Sequence, residues 1–280
     1  MRRLKSVVAV FVFLAGLLCV AEEPAECTPE HGKLGTADAS PVDPGQVEVE
    51  LGYGLSRSKR FWDNSRDSQE RGEAREQALG LALTFGVVDN IDVGVGLDYL
   101  WVRDDDNVFP TTGDDIGDLS INGRWRFLTL DEYALEVAWI TGFTMPTGSD
   151  GSDRELGTSQ EFWSWDNTLA LSKDWGRWTA NGDIGYSLPF GGDRQDARGT
   201  FTADIAVGYQ VLDWLQPELE LNYAWDVVRR DADSESLTVT AGLVMPFTET
   251  LCVTTGVQQG VWGRNCDRLT SYMICIKLAY

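Results

Sequence analysis

Apolar and polar residues alternate along nearly the whole chain from Gly45 to Tyr280. In the last segment Tyr272, Ile274, Ile276, Leu278 and Tyr280 fall on every second position, with Met273, Cys275, Lys277 and Ala279 between them. The first segment places Val47, Val49, Leu51, Tyr53 and Leu55 against Glu48, Glu50, Gly52 and Gly54. A period of two predicts a strand with one apolar face and one mixed face. The third segment sets Ile91, Val93, Val95, Leu97, Tyr99 and Trp101 against Asp92, Gly94, Gly96 and Asp98, and the ninth sets Leu219, Leu221, Tyr223 and Trp225 against Glu218, Glu220, Asn222 and Asp226.

About twelve such segments follow one another, each of roughly ten residues, the length of a tilted strand that crosses a bilayer. Connections near Asp89, Asp131, Asp174, Asp213 and Thr248 are short, while those near Arg66, Asp106, Gly151, Asp193, Asp231 and Asn265 are mostly longer. Charged loops are expected over Ser56 to Glu73 and Arg103 to Asp115, and Tyr133 is expected to open the fifth strand. Short turns at one end, long loops at the other and an even strand count predict an all-β, antiparallel up-and-down transmembrane β-barrel with both ends of the chain on the periplasmic side. A soluble sandwich or lipocalin-like barrel also alternates. Its strands are usually shorter, however, and Trp101, Tyr133, Trp175, Trp178, Trp214, Trp225, Trp262 and Tyr280 sit near strand ends, as interfacial girdles do.

Residues 1–21 read as a secretory signal: Arg2, Arg3 and Lys5 precede an apolar run from Val7 to Val20, and Cys19-Val20-Ala21 offers small residues for cleavage. Leu18 before Cys19 is too bulky for the usual lipoprotein signal. Residues 22–44 are polar and carry Pro24, Pro29, Pro41 and Pro44, which predicts a periplasmic N-terminal arm. Residues 45–280 are expected to form the barrel in the outer membrane of a Gram-negative bacterium. The net charge of −21 argues against nucleic acid as a partner, because phosphate binding needs a basic surface. An aromatic content of 11% is too high for an acidic disordered chain.

Four short stretches carry a family resemblance. They are Gly45-Gln46-Val47-Glu48, Val88-Asp89-Asn90-Ile91-Asp92-Val93-Gly94, Ile116-Gly117-Asp118-Leu119-Ser120 and Met145-Pro146-Thr147-Gly148. In these the chain resembles the outer-membrane transporter family of the phenol-degradation meta-pathway type, over residues 45–280. The resemblance implies a barrel and transport of hydrophobic or aromatic compounds without naming a substrate. It also implies that the terminal Tyr280 is the aromatic ending read by barrel-insertion machinery, so the expected partners are that machinery and outer-membrane lipid.

Little in the chain suggests catalysis. The single histidine, His31, lies in the arm before the barrel, so a histidine base on the barrel would require the arm to fold back. No enzyme activity and no cofactor are expected. Cys27, Cys252, Cys266 and Cys275 show no metal-binding spacing, and Cys252 and Cys275 are expected to lie too far apart to pair. The acidic run Asp104-Asp105-Asp106-Asn107 and the pair Asp114-Asp115 lack the spacing of a calcium loop, and no metal site is expected.

The inward faces carry the informative chemistry. If the apolar residues face lipid, the lumen receives Glu48, Glu50, Asp92, Asp98, Asp118, Glu136, Asp183, Asp204, Glu218, Glu220 and Asp226, with Arg124, Arg126 and Lys277 as cations. This predicts an acidic lumen favouring cations or polar neutral solutes. The expected function is a channel or transporter for small molecules; the rival is a structural or adhesive barrel that transports nothing.

Overall fold

The computed structural model describes residues 34–105, 110–152, 155–193, 197–229 and 231–280. The predicted leader, the first part of the arm, Cys27, His31 and the end of the run Asp104-Asp105-Asp106-Asn107 lie outside the described residues.

The strands are β1 (Val47–Trp62), β2 (Ser68–Val88), β3 (Ile91–Asp104), β4 (Thr111–Ile116), β5 (Leu119–Leu130), β6 (Leu135–Met145) and β7 (Trp163–Trp175). They continue with β8 (Trp178–Phe190), β9 (Ala197–Tyr209), β10 (Gln216–Val228), β11 (Ser234–Pro246), β12 (Leu251–Arg264), β13 (Cys266–Asp267) and β14 (Thr270–Ala279). Each long strand pairs antiparallel with its sequence neighbour. β14 then returns to β1, with Glu50 opposite Lys277 and Tyr53 opposite Ile274. β4 and β5 are two pieces of one wall position, both paired with β3, and β13 is a short addition to β1 at the outer end. The result is a closed barrel of twelve strands, so no sheet edge is left to meet lipid. Among the described residues no helix is long and apolar enough to cross a membrane; the strands make the crossing.

The exterior is apolar because every second side chain points outward. Leu51, Leu81, Leu219 and Ile274 are among many large hydrophobic residues whose exposure, 58% for Leu219, would be costly in water and is favourable in lipid. The interior holds Gly, Ala, Ser, Thr and charged side chains, so it has only a small apolar cluster, around Ala39, Ala138 and Ala170.

Three expectations are corrected. The charged segment over Ser56 to Glu73 is mostly strand: β1 and β2 continue beyond the apolar belt, and only a tight turn separates Trp62 from Ser68. Backbone pairing does not depend on apolar side chains there, and polar cross-strand contacts support it, including Arg60 Nε to Ser68 Oγ at 2.9 Å and Lys59 to Glu73 at 3.1 Å. The segment Arg103 to Asp115 likewise contains the end of β3 and most of β4. Tyr133 belongs to a 3-10 turn at Asp131–Tyr133, closed by Ala134 in the left-handed region, and the strand starts after it.

A fourth correction concerns the arm. Residues 34–43 do not stand off from the barrel; they lie inside it, hydrogen-bonded to inward-facing side chains. The chain leaves the lumen at Gly45, whose φ of 81° reverses the backbone into β1. It passes over Gly86, where a Cβ would collide with the carbonyl oxygens of Val42 and Asp43.

Candidate permeation path

A lone extended segment inside a barrel has no neighbouring strand to accept its N–H groups, yet buried donors require acceptors. The inward-facing side chains supply them. Val42 N donates to Asp92 Oδ2 at 3.0 Å, Ala39 N to Ser172 Oγ at 2.9 Å and Ala37 N to Asp183 Oδ2 at 2.8 Å. Gly35 N and Thr36 N both donate to Glu220 Oε1, at 2.9 and 3.1 Å, and Leu34 N donates to Glu218 Oε1 at 3.3 Å. The Ser40 hydroxyl donates to Glu136 at 2.7 Å, and Arg124 Nη1 donates to the Asp38 and Ser40 carbonyls. The segment therefore forms a strap that runs from the β2 wall past β3, β6, β7 and β8 to β10. It lies toward the periplasmic end, since Asp92, Glu136 and Glu218 each stand one or two residues from the periplasmic end of their strands.

The strap does not fill the lumen. Between it and the opposite wall lies a cavity of about 350 Å³, bounded by Glu48, Glu50, Ala82, Thr84, Asn122, Arg124 and Lys277. A second cavity of about 280 Å³ follows toward the outer end; it shares Glu50 and Ala82 with the first and adds Gly52, Gly80, Gly96, Asp98, Asp118 and Cys275. The space exists because this wall carries glycine at inward positions: a Cβ at Gly54 would meet nothing within 4 Å, and one at Gly52 only the Ile274 carbonyl. Charge on this wall is partly neutralised side chain to side chain. Lys277 Nζ stands 2.9 Å from Glu48 and 2.7 Å from Glu50.

The outer mouth is narrowed by the β1–β2 hairpin. Arg71 pairs with Asp104 of β3 at 2.8 Å and with Asp267 of β13 at 2.7 Å. Arg66 reaches Glu235 of β11 at 3.5 Å and lies over the Trp262 ring at 5.0 Å, while Arg264 also pairs with Glu235 at 2.8 Å. Trp62 is 6% exposed and lies flat on β12, where a Cβ at Gly263 would come within 2.6 Å of its ring. At the tip, Asp63 accepts from Ser65 N at 2.8 Å and Asp67 N at 3.0 Å, and the donation from the Asp67 backbone, with lesser help from Gln69, holds its carboxyl below the usual range.

The predicted lumen residues occupy different environments. Asp92, Glu136, Asp183, Glu218 and Glu220 hold the strap. Arg124 pairs with Asp92 at 3.1 Å, and Arg126 with Glu136 at 2.6 Å. Asp204 faces Asp183 and Asn222 across the register of β8, β9 and β10. Glu48, Glu50, Asp98 and Lys277 border the two cavities. Asp118 borders the second cavity too, but its carboxylate accepts from Gly148 N and Gln160 N and so fastens the outer loop between β6 and β7. Asp226 takes the hydroxyls of Thr200 and Ser234, both at 2.6 Å, near the outer end.

Sequence reasoning missed Ser172, Asn122 and the strap itself. The available signals were the small residues Gly35, Ala37, Ala39 and Ser40 in the arm, which fit a narrow bore, and an inward face with many more acids than cations. The register also places Cys252 and Cys275 as diagonal neighbours, Cys252 opposite Lys277 and Cys275 opposite Thr254, nearer than expected; neither is in a disulfide. In the acidic runs Asp104 is held by Arg71, Asp105 by Arg103 and Asp114 by the Tyr99 hydroxyl. Among the described residues no three His, Cys, Asp or Glu side chains gather as a metal site.

The family model described as "Putative MetA-pathway of phenol degradation" matches residues 44–274. The chain belongs to this family. Among solved structures, the COG4313 outer membrane channel from Pseudomonas putida F1 is similar in fold, with a TM-score of 0.74 and 14% identity over 89% of this chain and 100% of that one. The translocator domain of the autotransporter NalP from Neisseria meningitidis is more distant, with a TM-score of 0.50 and 12% identity over 85% of this chain and 89% of that one. No curated protein matches the sequence. A closed twelve-stranded barrel with an apolar exterior, like these outer-membrane neighbours, is a protein of the outer membrane.

Proposed function

We propose that this family member is a passive outer-membrane channel for small molecules, with the passage running between the strap and the glycine-lined wall of β1, β2 and β3. The observation that carries this reading is the pair of adjoining cavities that share Glu50 and Ala82. The passage is narrow and polar-walled, with Glu48, Glu50 and Asp98 on one side and Lys277 and Arg124 the nearest cations. A narrow acidic path admits cations and neutral solutes in preference to anions. Membership of a family described by phenol degradation, together with the likeness to an outer membrane channel of Pseudomonas putida, supports small aromatic compounds as the neutral cargo. No catalytic part is assigned: the one histidine precedes the barrel, and the carboxylates on the strap side serve as backbone acceptors.

The test is reconstitution of the full chain in liposomes and planar bilayers. Swelling in small neutral solutes together with a cation-selective reversal potential in a salt gradient is the expected result. Anion selectivity would refute the acidic path. Impermeability of both the full chain and a variant lacking residues 34–43 would favour the structural barrel instead.

A further inference from the structure

Outside the bore, the register creates a cluster of like charges. Arg57 of β1 lies directly opposite Arg75 of β2, and Arg75 lies directly opposite Arg103 of β3. All three occupy outward-facing positions and are exposed. Like charges directly opposite on neighbouring strands destabilise a sheet unless something lies between them. Arg103 has a carboxylate of its own, Asp105 at 2.8 Å, whereas Arg57 and Arg75 make no ion pair among the described residues. In a chain with 23 Lys and Arg against 44 Asp and Glu, three adjacent arginines do not follow from composition.

A second observation locates a ligand-sized space beside this row. A cavity of about 450 Å³ on the β12–β14–β1 side is lined by Arg57, Lys59, Arg60, Gln259, Arg268 and Thr270, four cations and two neutral polar groups; of the four, Lys59 is paired with Glu73 at 3.1 Å. Arg268 is braced over the Trp62 ring at 5.8 Å and Arg57 over the Tyr272 ring at 5.7 Å, so two guanidinium groups are held in place by aromatic faces.

The height of the row matters. One step toward the periplasm on the same outward faces stand Tyr272, Leu55 and Trp101, the upper margin of the apolar belt, and two steps down stand Ile274, Tyr53 and Tyr99. The cations therefore sit where an outer-leaflet lipid places its headgroup, just above the aromatic girdle. Guanidinium groups bind phosphate bidentately, and basic pockets at the membrane surface of other proteins bind phosphate headgroups in the same way.

We propose that Arg57, Arg75 and Arg268, with Lys59, Arg60 and Arg103 beside them, bind the phosphate groups of an outer-leaflet phosphoglycolipid, the lipid A part of lipopolysaccharide. The sugar-phosphate head occupies the cavity and the row, and its acyl chains lie along Leu55, Tyr53 and Ile274. This depends on the protein residing in the outer membrane and is independent of whether the bore conducts.

The experiment uses the full chain purified in detergent and fluorescent bis-phosphorylated lipid A as the probe. Replacing three arginines together (R57Q, R75Q and R268Q) weakens binding at least about tenfold, the loss of more than one charge-assisted contact. The single variant R75Q weakens it less, the R75K variant restores part of it, and R177Q at a periplasmic turn leaves it unchanged. Heat-modifiable gel mobility confirms that each variant is a folded barrel; if the triple variant does not fold, R75Q against R75K decides. Equal binding by R75Q and the unaltered protein would overturn the proposal. So would equal binding of lipid A stripped of its phosphates, or inorganic phosphate competing as strongly as the lipid, which would mark a free-anion site.

Discussion

On β8 and β10 the carboxylates of Asp183, Glu218 and Glu220 are met by backbone N–H groups of the strap, whereas on β1 the carboxylates of Glu48 and Glu50 are met by Lys277 from β14. Both arrangements satisfy buried or half-buried acids, but they differ in what can move. Lys277 is part of the closing strand, in register with Glu50, and cannot leave without opening the barrel. Among the described residues the strap joins the wall covalently at Gly45 and is otherwise held by hydrogen bonds to inward-facing side chains. An N–H donor also carries no net charge, so the strap-bound side stays acidic while the Lys277 side is partly neutralised. The proposed passage runs along the second side, and any widening would come from the first.

The largest expected effect follows from removing the strap. Deleting residues 34–43 while keeping Gly45 and the barrel raises single-channel conductance several-fold and strengthens cation selectivity, because Asp92, Asp183, Glu218 and Glu220 then face solution. Unchanged conductance would mean that the strap does not border the conducting path. Folding is checked separately by heat-modifiable mobility, since the deletion leaves the strand register untouched.

Smaller and more local is E220A. Glu220 accepts from both Gly35 N and Thr36 N, so its loss leaves two donors without their acceptor at a cost of about 1–3 kcal/mol each where buried. The substitution acts on the attachment of the strap, with little effect on the sheet. A cysteine placed at Ala37 becomes accessible to a water-soluble thiol reagent in the E220A background and stays protected in its absence. E220Q keeps a carbonyl acceptor and gives an intermediate rate. Equal protection in all three would show that the attachment is carried elsewhere.

On the opposite side the sharpest variant is G54L. The position is an inward one on β1 with open space around it, so a leucine is tolerated by the fold and intrudes on the lumen. Conductance falls, to roughly half if the passage is as narrow as the cavities suggest, with thermal stability unchanged. A leucine at an inward position of the strap-bound wall, such as N181L on β8, changes conductance less. If the two variants act equally, the two sides are not distinct.

The alternation from Val47 to Tyr280 made the barrel legible because a lipid-facing wall demands an apolar residue at every second position, and nothing else in the chain competes with that demand. The same parity assigned Glu48, Asp92, Glu220 and Lys277 to the inside. It could not show which inward acid meets which donor. Asp183 and Glu220 find their partners 146 and 185 residues away, in a segment whose polar composition resembles that of a free linker. The loop expected over Ser56 to Glu73 failed for a related reason: hydropathy reports where lipid ends, while β1 and β2 end only where backbone pairing ends, at Trp62 and Ser68.

The smallest effect tests how the hairpin on the open side is finished at its tip. The Asp63 carboxylate, at the hairpin tip, accepts from the backbone of Ser65 and Asp67 and from the Gln69 amide. These donations favour the charged form, chiefly that from Asp67, so the folded carboxyl titrates below its ordinary value of 3.8. A depressed pKa gives support that is fully present above the unfolded value and is lost as pH falls through the folded one. Amide chemical shifts of Ser65 and Asp67, followed by NMR in micelles from about pH 6 to about pH 2, therefore stay flat until the pH has passed below the ordinary carboxylate value, then move together. In D63N the step disappears, while the register from Arg57 to Val47 and the conductance remain as before. A step at or above the ordinary value would mean that the turn does not hold the charge, leaving Arg71 and Trp62 to position the hairpin over the mouth.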